Sequence, residues 1–216
     1  MTERERMLAG LAYWAGEDSL AGERRRARRL MAQINQTLPE QEEERQALFR
    51  ELLGKTGDAF YIEPPFICDY GSQISLGEEF YANFECLILD TCPVVIGDHV
   101  MFGPRVSVYT ACHPVDAAVR IRGLELGKPV FIGNCVWVGG STVINPGVTI
   151  GDNTVIGSGS VVTKSIPSGV VAAGNPCRVI REITEEEKLF WLEWEQQYQN
   201  SGHGAGFSLS GRELSE

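Results

Sequence analysis

The chain has 216 residues, 43% hydrophobic and 22% charged, with a formal net charge of -10. That length makes one large domain or two small ones and needs no disulfide or metal to hold a core. The composition argues against wholesale disorder, and the charge argues against general nucleic-acid binding, which requires a basic footprint on phosphates. Met1-Thr2-Glu3-Arg4-Glu5-Arg6 is charged throughout, and no run approaches the ~20 apolar residues of a membrane span, so no membrane partner is expected. Cys68, Cys86, Cys92, Cys112, Cys135 and Cys177 form no C-x-x-C pair, which fits reduced thiols in a cytoplasmic protein.

Residues 1–57 read as an N-terminal helical segment. Asp18 or Ser19 suits a helix cap before the run Arg24-Arg25-Arg26-Ala27-Arg28-Arg29, with the helix ending near Gln36. The arginines read as a solvated helix face. Pro39 suits the first turn of the next helix, Glu40 to Glu44 favour its positive end, Leu48 and Leu52 share a face, and Gly54 ends it.

Over residues 58–183 the texture changes to a repeat. Ile132, Val138, Ile144, Ile150, Ile156 and Val162 are spaced six apart, and Ile96, Phe102 and Val108 repeat the step. Ile96-Gly97-Asp98, Ile132-Gly133-Asn134 and Ile150-Gly151-Asp152 begin 36 and 18 residues apart, and Leu76-Gly77-Glu78 is a copy displaced by two. A step of six matches neither an α-helix nor a coiled coil, but it fits a short strand and a tight corner. Three steps close a triangular coil, which predicts Ile132 over Ile150, Val138 over Ile156 and Ile144 over Val162. Gly with Asp or Asn would supply the corners' unusual φ. The pattern predicts a mainly β fold, a parallel β-helix. It breaks over 110–129, an excursion loop of the sort in which repeat proteins place function. Residues 184–216 predict a C-terminal helix behind a Thr184-Glu187 capping box, its aromatics Phe190, Trp191, Trp194 and Tyr198 packed on the coils or on a neighbouring subunit, and then a poorly ordered Gly-rich tail from Asn200.

Residues 7–181 resemble the maltose and galactoside O-acetyltransferase group of the hexapeptide-repeat acyltransferases. The segments that carry this include Cys68-Asp69-Tyr70-Gly71, Phe80-Tyr81-Ala82-Asn83-Phe84, His113-Pro114-Val115, Gly127-Lys128-Pro129-Val130, Trp137-Val138-Gly139-Gly140, Val143 to Asp152 and Ala172 to Ile180. The Asn83 and His113 segments, together with the helical N-terminus, are the specific ones. The resemblance implies a left-handed β-helix, a homotrimer with sites between neighbouring stacks, acetyl-CoA as co-substrate donor and a sugar hydroxyl as acceptor. It also implies an acidic sugar contact near the first helix, Glu17 or Asp18.

The chemistry then assigns roles. A sugar hydroxyl needs a general base, and His113, at the mouth of the loop, is the candidate. Glu125, later in that loop, is the candidate to orient its ring, and a main-chain carbonyl is the alternative. The Asn83 amide could donate to the acceptor oxygen or to the tetrahedral centre. Asp69, Tyr81 and Asp90 look like the sugar-binding set. A main-chain N–H of Gly140 or Ser141 could meet the thioester oxygen, and Trp137 offers a wall for the pantetheine arm. Lys164, Arg178 and Arg181 gather positive charge for the CoA phosphates. Gly103, Ser158, Thr163 and Lys164 resemble the family's CoA contacts. Direct transfer is favoured over a Cys112 acyl-enzyme, because adjacent extended residues face opposite ways. A γ-type carbonic anhydrase is disfavoured, since His99, His113 and His203 lack zinc-ligand spacing, and no metal is expected. A catalytically silent assembly protein, or an acetyltransferase acting on a galactoside, an amino sugar, serine or a lipo-oligosaccharide, stays open.

Overall fold

The computed structural model describes residues 1–203. Each six-residue step supplies one strand and one corner, and the chain winds into a three-sided parallel β-helix of about six turns. The first face stacks Ile74–Leu76, Val94–Ile96, Val130–Ile132 and Thr149–Ile150. The second runs from Phe60–Ile62 to Val170–Ala173, and the third from Phe66–Cys68 to Val161–Val162. The expected ladders form in register: Ile132 pairs with Ile150, Val138 with Ile156 and Ile144 with Val162. All six are buried, and each such side chain contributes about 1.5–3 kcal/mol on leaving water.

The corners between the first and second faces are held in a way the sequence only half announces. The positive φ falls not on Gly97, Asp98 or their equivalents but one residue later, on Glu79, His99, Cys135 and Asn153. The acidic and amide side chains instead bond up the stack. Asp98 Oδ1 accepts from Glu78 N–H at 2.8 Å, Asn134 Oδ1 from Asp98 N–H at 2.9 Å, and Asp152 Oδ1 from Asn134 N–H at 2.6 Å. Glycine precedes each because a Cβ at Gly97 would lie 2.5 Å from Asn134 Oδ1.

The corner from the third face back to the first behaves differently. Leu76 pairs with Ile96, Ala82 with Phe102 and Ile88 with Val108, twenty residues apart, where later coils repeat every eighteen. The two extra residues lie between Cys68 and Leu76 and again between Ile88 and Ile96. The excursion loop leaves from the same corner one coil later and returns in register, with Val130 beside Val94. It is built, not loose. Ala111–Cys112 and Leu124–Gly127 pair antiparallel, and Tyr13–Trp14 adds a third strand along Leu124–Gly127.

Two helices close the first coil, α2 (Asp18–Ile34) and α3 (Glu42–Leu52), and a third, α1 (Glu3–Leu8), packs on α2 and on the strands of the excursion loop. Ala27, Leu30, Met31 and Ile34 of α2 and Phe49 and Leu52 of α3 join the prism core, and Phe49 meets Phe60 and Phe66 edge to face. The cap thereby covers the exposed end of the solenoid, an aggregation-prone edge if left bare.

Some boundaries differ from expectation. Glu17, not Asp18 or Ser19, caps α2: its backbone is extended and its carboxylate accepts from the N–H groups of Ser19 and Leu20 in the first turn. Pro39 lies in the turn before α3, which starts at Glu42 behind Gln41. α3 stops at an extended Leu53, and Gly54 N–H bonds to the Gly71 and Ile74 carbonyls. Within the loop lies a short helix, α4 (Ala117–Arg120). The C-terminal helix, α5 (Glu185–Tyr198), has the expected capping box, but none of its residues is buried. The rings of Phe190, Trp191 and Trp194 contact one another and stay about half exposed in a single chain. Of the tail expected from Asn200, Gln199–His203 instead forms a π-helical turn after α5, and the rest, from position 204 onward, lies outside the described residues.

Candidate active site

The expanded corner opens a cavity of about 340 Å3 that brings together residues far apart in the chain. His113 lines it from the loop, Asp69 and Tyr70 from the first enlarged corner, Thr91 from the second, and Glu125 from the returning strand. The N-terminal cap supplies Ala15 and Arg24. Of the expected residues, His113, Glu125 and Asp69 therefore converge. Tyr70, Thr91, Arg24 and Ala15 are additions.

Arg24 corrects the reading of the arginine run as wholly solvated. Its Nη1 donates to Tyr70 Oη at 2.6 Å and its Nη2 to the Ala15 carbonyl at 2.6 Å. Burial pushes the Asp69 carboxyl up, and Arg24 acts against that shift. Burial likewise raises Tyr70, again opposed by Arg24, so the phenol stays protonated and polar.

Asp90 does not face this cavity. It is 0% exposed, and its carboxylate accepts from the N–H groups of Asp69, Tyr70 and Gln73. It braces the turn that presents Asp69, which accounts for a buried carboxylate here without a sugar contact. Burial pushes it up to about 7, against the pull of those donors. Glu17 is likewise occupied as a helix cap, and hydrogen bonds from Ser19 and Leu20 hold its carboxyl low. Its neighbour Asp18 begins α2 and is exposed. Tyr81 lies on the outer side of the second face, stacked on Tyr61 at 6.1 Å, away from His113. Glu125 shares the cavity with His113, but among the described residues no hydrogen bond or ion pair joins them. Tyr13, directly opposite Glu125 in the antiparallel pairing, donates to its Oε2 at 2.9 Å.

A second set gathers at the corner between the second and third faces. Asn83, Gly103, Gly140, Ser141 and Ser158 follow successive strands of the second face and stack there. Asn83 Oδ1 accepts from Phe84 N–H at 2.8 Å, which leaves the amide NH2 to donate outward. Ser141 N–H is bound to the Pro104 carbonyl at 2.8 Å, so it cannot serve as an oxyanion donor. Gly140 N–H has no such partner among the described residues. Gly103 keeps the approach to it clear, since a Cβ there would lie 2.6 Å from Gly140 N.

Thr163 and Lys164 are exposed on the third-face corner above the loop, and Arg178 is exposed just past the Gly174 turn. Arg181 is ion-paired with Glu187 of α5, which reduces its claim on a phosphate. Trp137 is exposed on the outer second face, between Met101 and Val155. Within one chain the third face separates the Asn83 corner from the His113 corner. Burial pushes the Cys112 thiol up, opposite to what a nucleophile needs. No helix among the described residues is long and apolar enough to cross a membrane.

Comparison with known proteins matches these regions. Residues 6–57 fit the maltose acetyltransferase hexapeptide capping motif, and residues 129–164 fit the bacterial transferase hexapeptide (six repeats). The chain is 45% identical over 192 residues to the galactoside O-acetyltransferase of Escherichia coli K12, covering 89% of this chain and 95% of that protein. A crystal structure of a maltose O-acetyltransferase from Clostridium difficile 630 superposes with a TM-score of 0.85 at 50% identity, covering 86% of this chain and 99% of that one. A galactoside acetyltransferase in complex with coenzyme A superposes at 0.84 with 46% identity, covering 87% and 94%.

Proposed function

Because the chain belongs to the maltose and galactoside O-acetyltransferase family, we propose that it moves an acetyl group from acetyl-CoA to a hydroxyl of a glucose- or maltose-like mono- or disaccharide. His113 is the general base. One observation carries this reading: the histidine of the excursion loop, Asp69 and Glu125 line a single cavity that the regular coils lack.

The imidazole takes the acceptor hydroxyl proton as that oxygen bonds to the thioester carbonyl carbon. The tetrahedral centre then collapses, the C–S bond breaks, and the imidazolium returns the proton to the departing sulfur as free thiol. No oxidant, metal or covalent enzyme intermediate is required. Asp69 and Glu125 accept hydrogen bonds from sugar hydroxyls. Two carboxylates beside one arginine suit a neutral polyol better than an anionic sugar.

The oxyanion donors belong to the other corner, Gly140 N–H and the Asn83 amide. A neighbouring protomer would bring that corner to the His113 cavity, which supports a homotrimer. Further support comes from the apolar side chains on the outer faces, among them Trp137, Phe131, Val95 and Ile67, each at least 40% exposed in a single chain. Lys164 and Arg178 would meet CoA phosphates, with Ser158, Thr163 and the flat face of Trp137 along the arm.

The test is thiol release from acetyl-CoA with glucose, maltose, galactosides and nucleotide sugars offered in parallel. Stimulation by neutral glucosides is the expected result. A preference for nucleotide sugars, or thiol release that ignores every sugar, would refute the acceptor assignment.

A further inference from the structure

The N-terminal segment reaches the cavity through Tyr13. The ring is 1% exposed and sits in a small apolar cluster with Met7, Leu20 and Tyr70, separate from the prism core. Cys92 Sγ donates to the Met7 carbonyl at 3.2 Å and ties this cluster to the second enlarged corner. Tyr13–Trp14 pairs with Leu124 and Glu125, with Tyr13 facing Glu125 across the ladder, and the phenol donates to Glu125 Oε2 at 2.9 Å. Packing thus fixes the ring, and the ring fixes one carboxylate oxygen of a residue that lines the acceptor cavity.

We propose that Tyr13 is a positioning residue for the acceptor: it holds Glu125 by one oxygen, away from the His113 ring, and leaves Oε1 to take a sugar hydroxyl. The inference rests on the reading of this cavity as the acceptor site. It gives the helical cap a part in substrate recognition beyond sealing the coil end. It also recasts Glu125 as an acceptor ligand in place of an orienter of the histidine. Burial and the carboxylate itself raise the Tyr13 hydroxyl above its ordinary range, which keeps it a donor throughout the working pH range.

The experiment compares wild type, Tyr13→Phe, Glu125→Gln and the double variant, each checked for oligomeric state and melting temperature. Tyr13→Phe keeps the buried ring and removes only the donor. Each single variant is expected to raise the sugar KM roughly tenfold, the scale of one charge-assisted hydrogen bond, and to leave the acetyl-CoA KM within about twofold. The double variant should be no worse than Glu125→Gln alone, because Tyr13 acts only through that carboxylate. If the two effects multiply, or if Tyr13→Phe lowers the melting temperature without moving the sugar KM, the inference fails while the acceptor reading stands. If Glu125→Gln leaves the sugar KM alone and instead displaces the acidic limb of the kcat pH profile, Glu125 serves the histidine and the proposed role is wrong. A wild-type protein that releases no thiol in response to any sugar ends both readings.

Discussion

Two corners of the same prism solve opposite problems. Between the first and second faces the chain turns in the minimum length, and Asp98, Asn134 and Asp152 bond to the main chain of the coil beside them. Between the third and first faces the corner is lengthened by two residues, twice, and then by the whole excursion loop. There Asp90 secures the turn from beneath, and Asp69, Glu125 and His113 are left facing a cavity. The same residue types give rigidity where the repeat is strict and line a cavity, the proposed acceptor site, where it is stretched.

The largest effect that would sharpen this contrast is at the stretched corner. His113→Ala is expected to lower kcat by about 10²–10⁴, the range for loss of a general base, with the fold and oligomer intact by circular dichroism and gel filtration. Near-normal turnover would dissolve the contrast. Gly103→Ala should follow, with kcat down roughly 10²-fold, because its methyl would crowd Gly140 N–H, the proposed oxyanion donor. A loss confined to the acetyl-CoA KM would move Gly103 from chemistry to cofactor docking.

At the strict corner the expectation reverses. Asn134→Ala removes the acceptor for Asp98 N–H and should cost about 0.5–1.5 kcal/mol in urea unfolding, since the bond is solvent-exposed, while both KM values hold. A smaller signature separates the two kinds of corner through pH. Asp90 is raised in the folded state from the ordinary carboxyl range to about 7, so its contribution favours the fold at low pH. That contribution is lost as pH rises from about 4 through 7, at a slope of about 1.4 kcal/mol per pH unit where the folded form alone holds the proton. Unfolding midpoints of wild type should therefore decline from pH 5.5 to 7 more steeply than those of Asp90→Asn. Equal slopes would remove Asp90 from the account.

Much of the architecture was legible because the ladder residues are local. Ile132, Val138, Ile144 and their partners declare their period within a single coil, and a period of six has no other economical fold. The displacement of Leu76 by two was visible as an irregularity, but its meaning, an enlarged corner, required knowing which corner it occupies. His113 and Asp69 were readable from loop position and resemblance. Tyr13 and Arg24 were not. Tyr13 meets its partner 112 residues along the chain and Arg24 meets Tyr70 46 residues along, so neither contact leaves a periodic trace. Asp90 misled because a carboxylate that braces a turn and one that binds a sugar look alike as letters. The aromatic stripe of α5 announces a partner without saying which: its rings stay about half exposed in a single chain, which leaves the neighbouring-subunit expectation standing.

The pairing of Tyr13 with Glu125 also sets an order of events during synthesis. A chain leaving the ribosome amino end first has its opening strand ready more than a hundred residues before the strand that receives it. Helical caps and early coils can consolidate in that interval, whereas the proposed acceptor pocket has to wait for the hairpin to emerge. Nascent fragments that end before residue 125 would carry much of the scaffold and a cavity that still lacks its Glu125 wall, and the proposed transfer waits further still, for Gly140 and a neighbouring protomer.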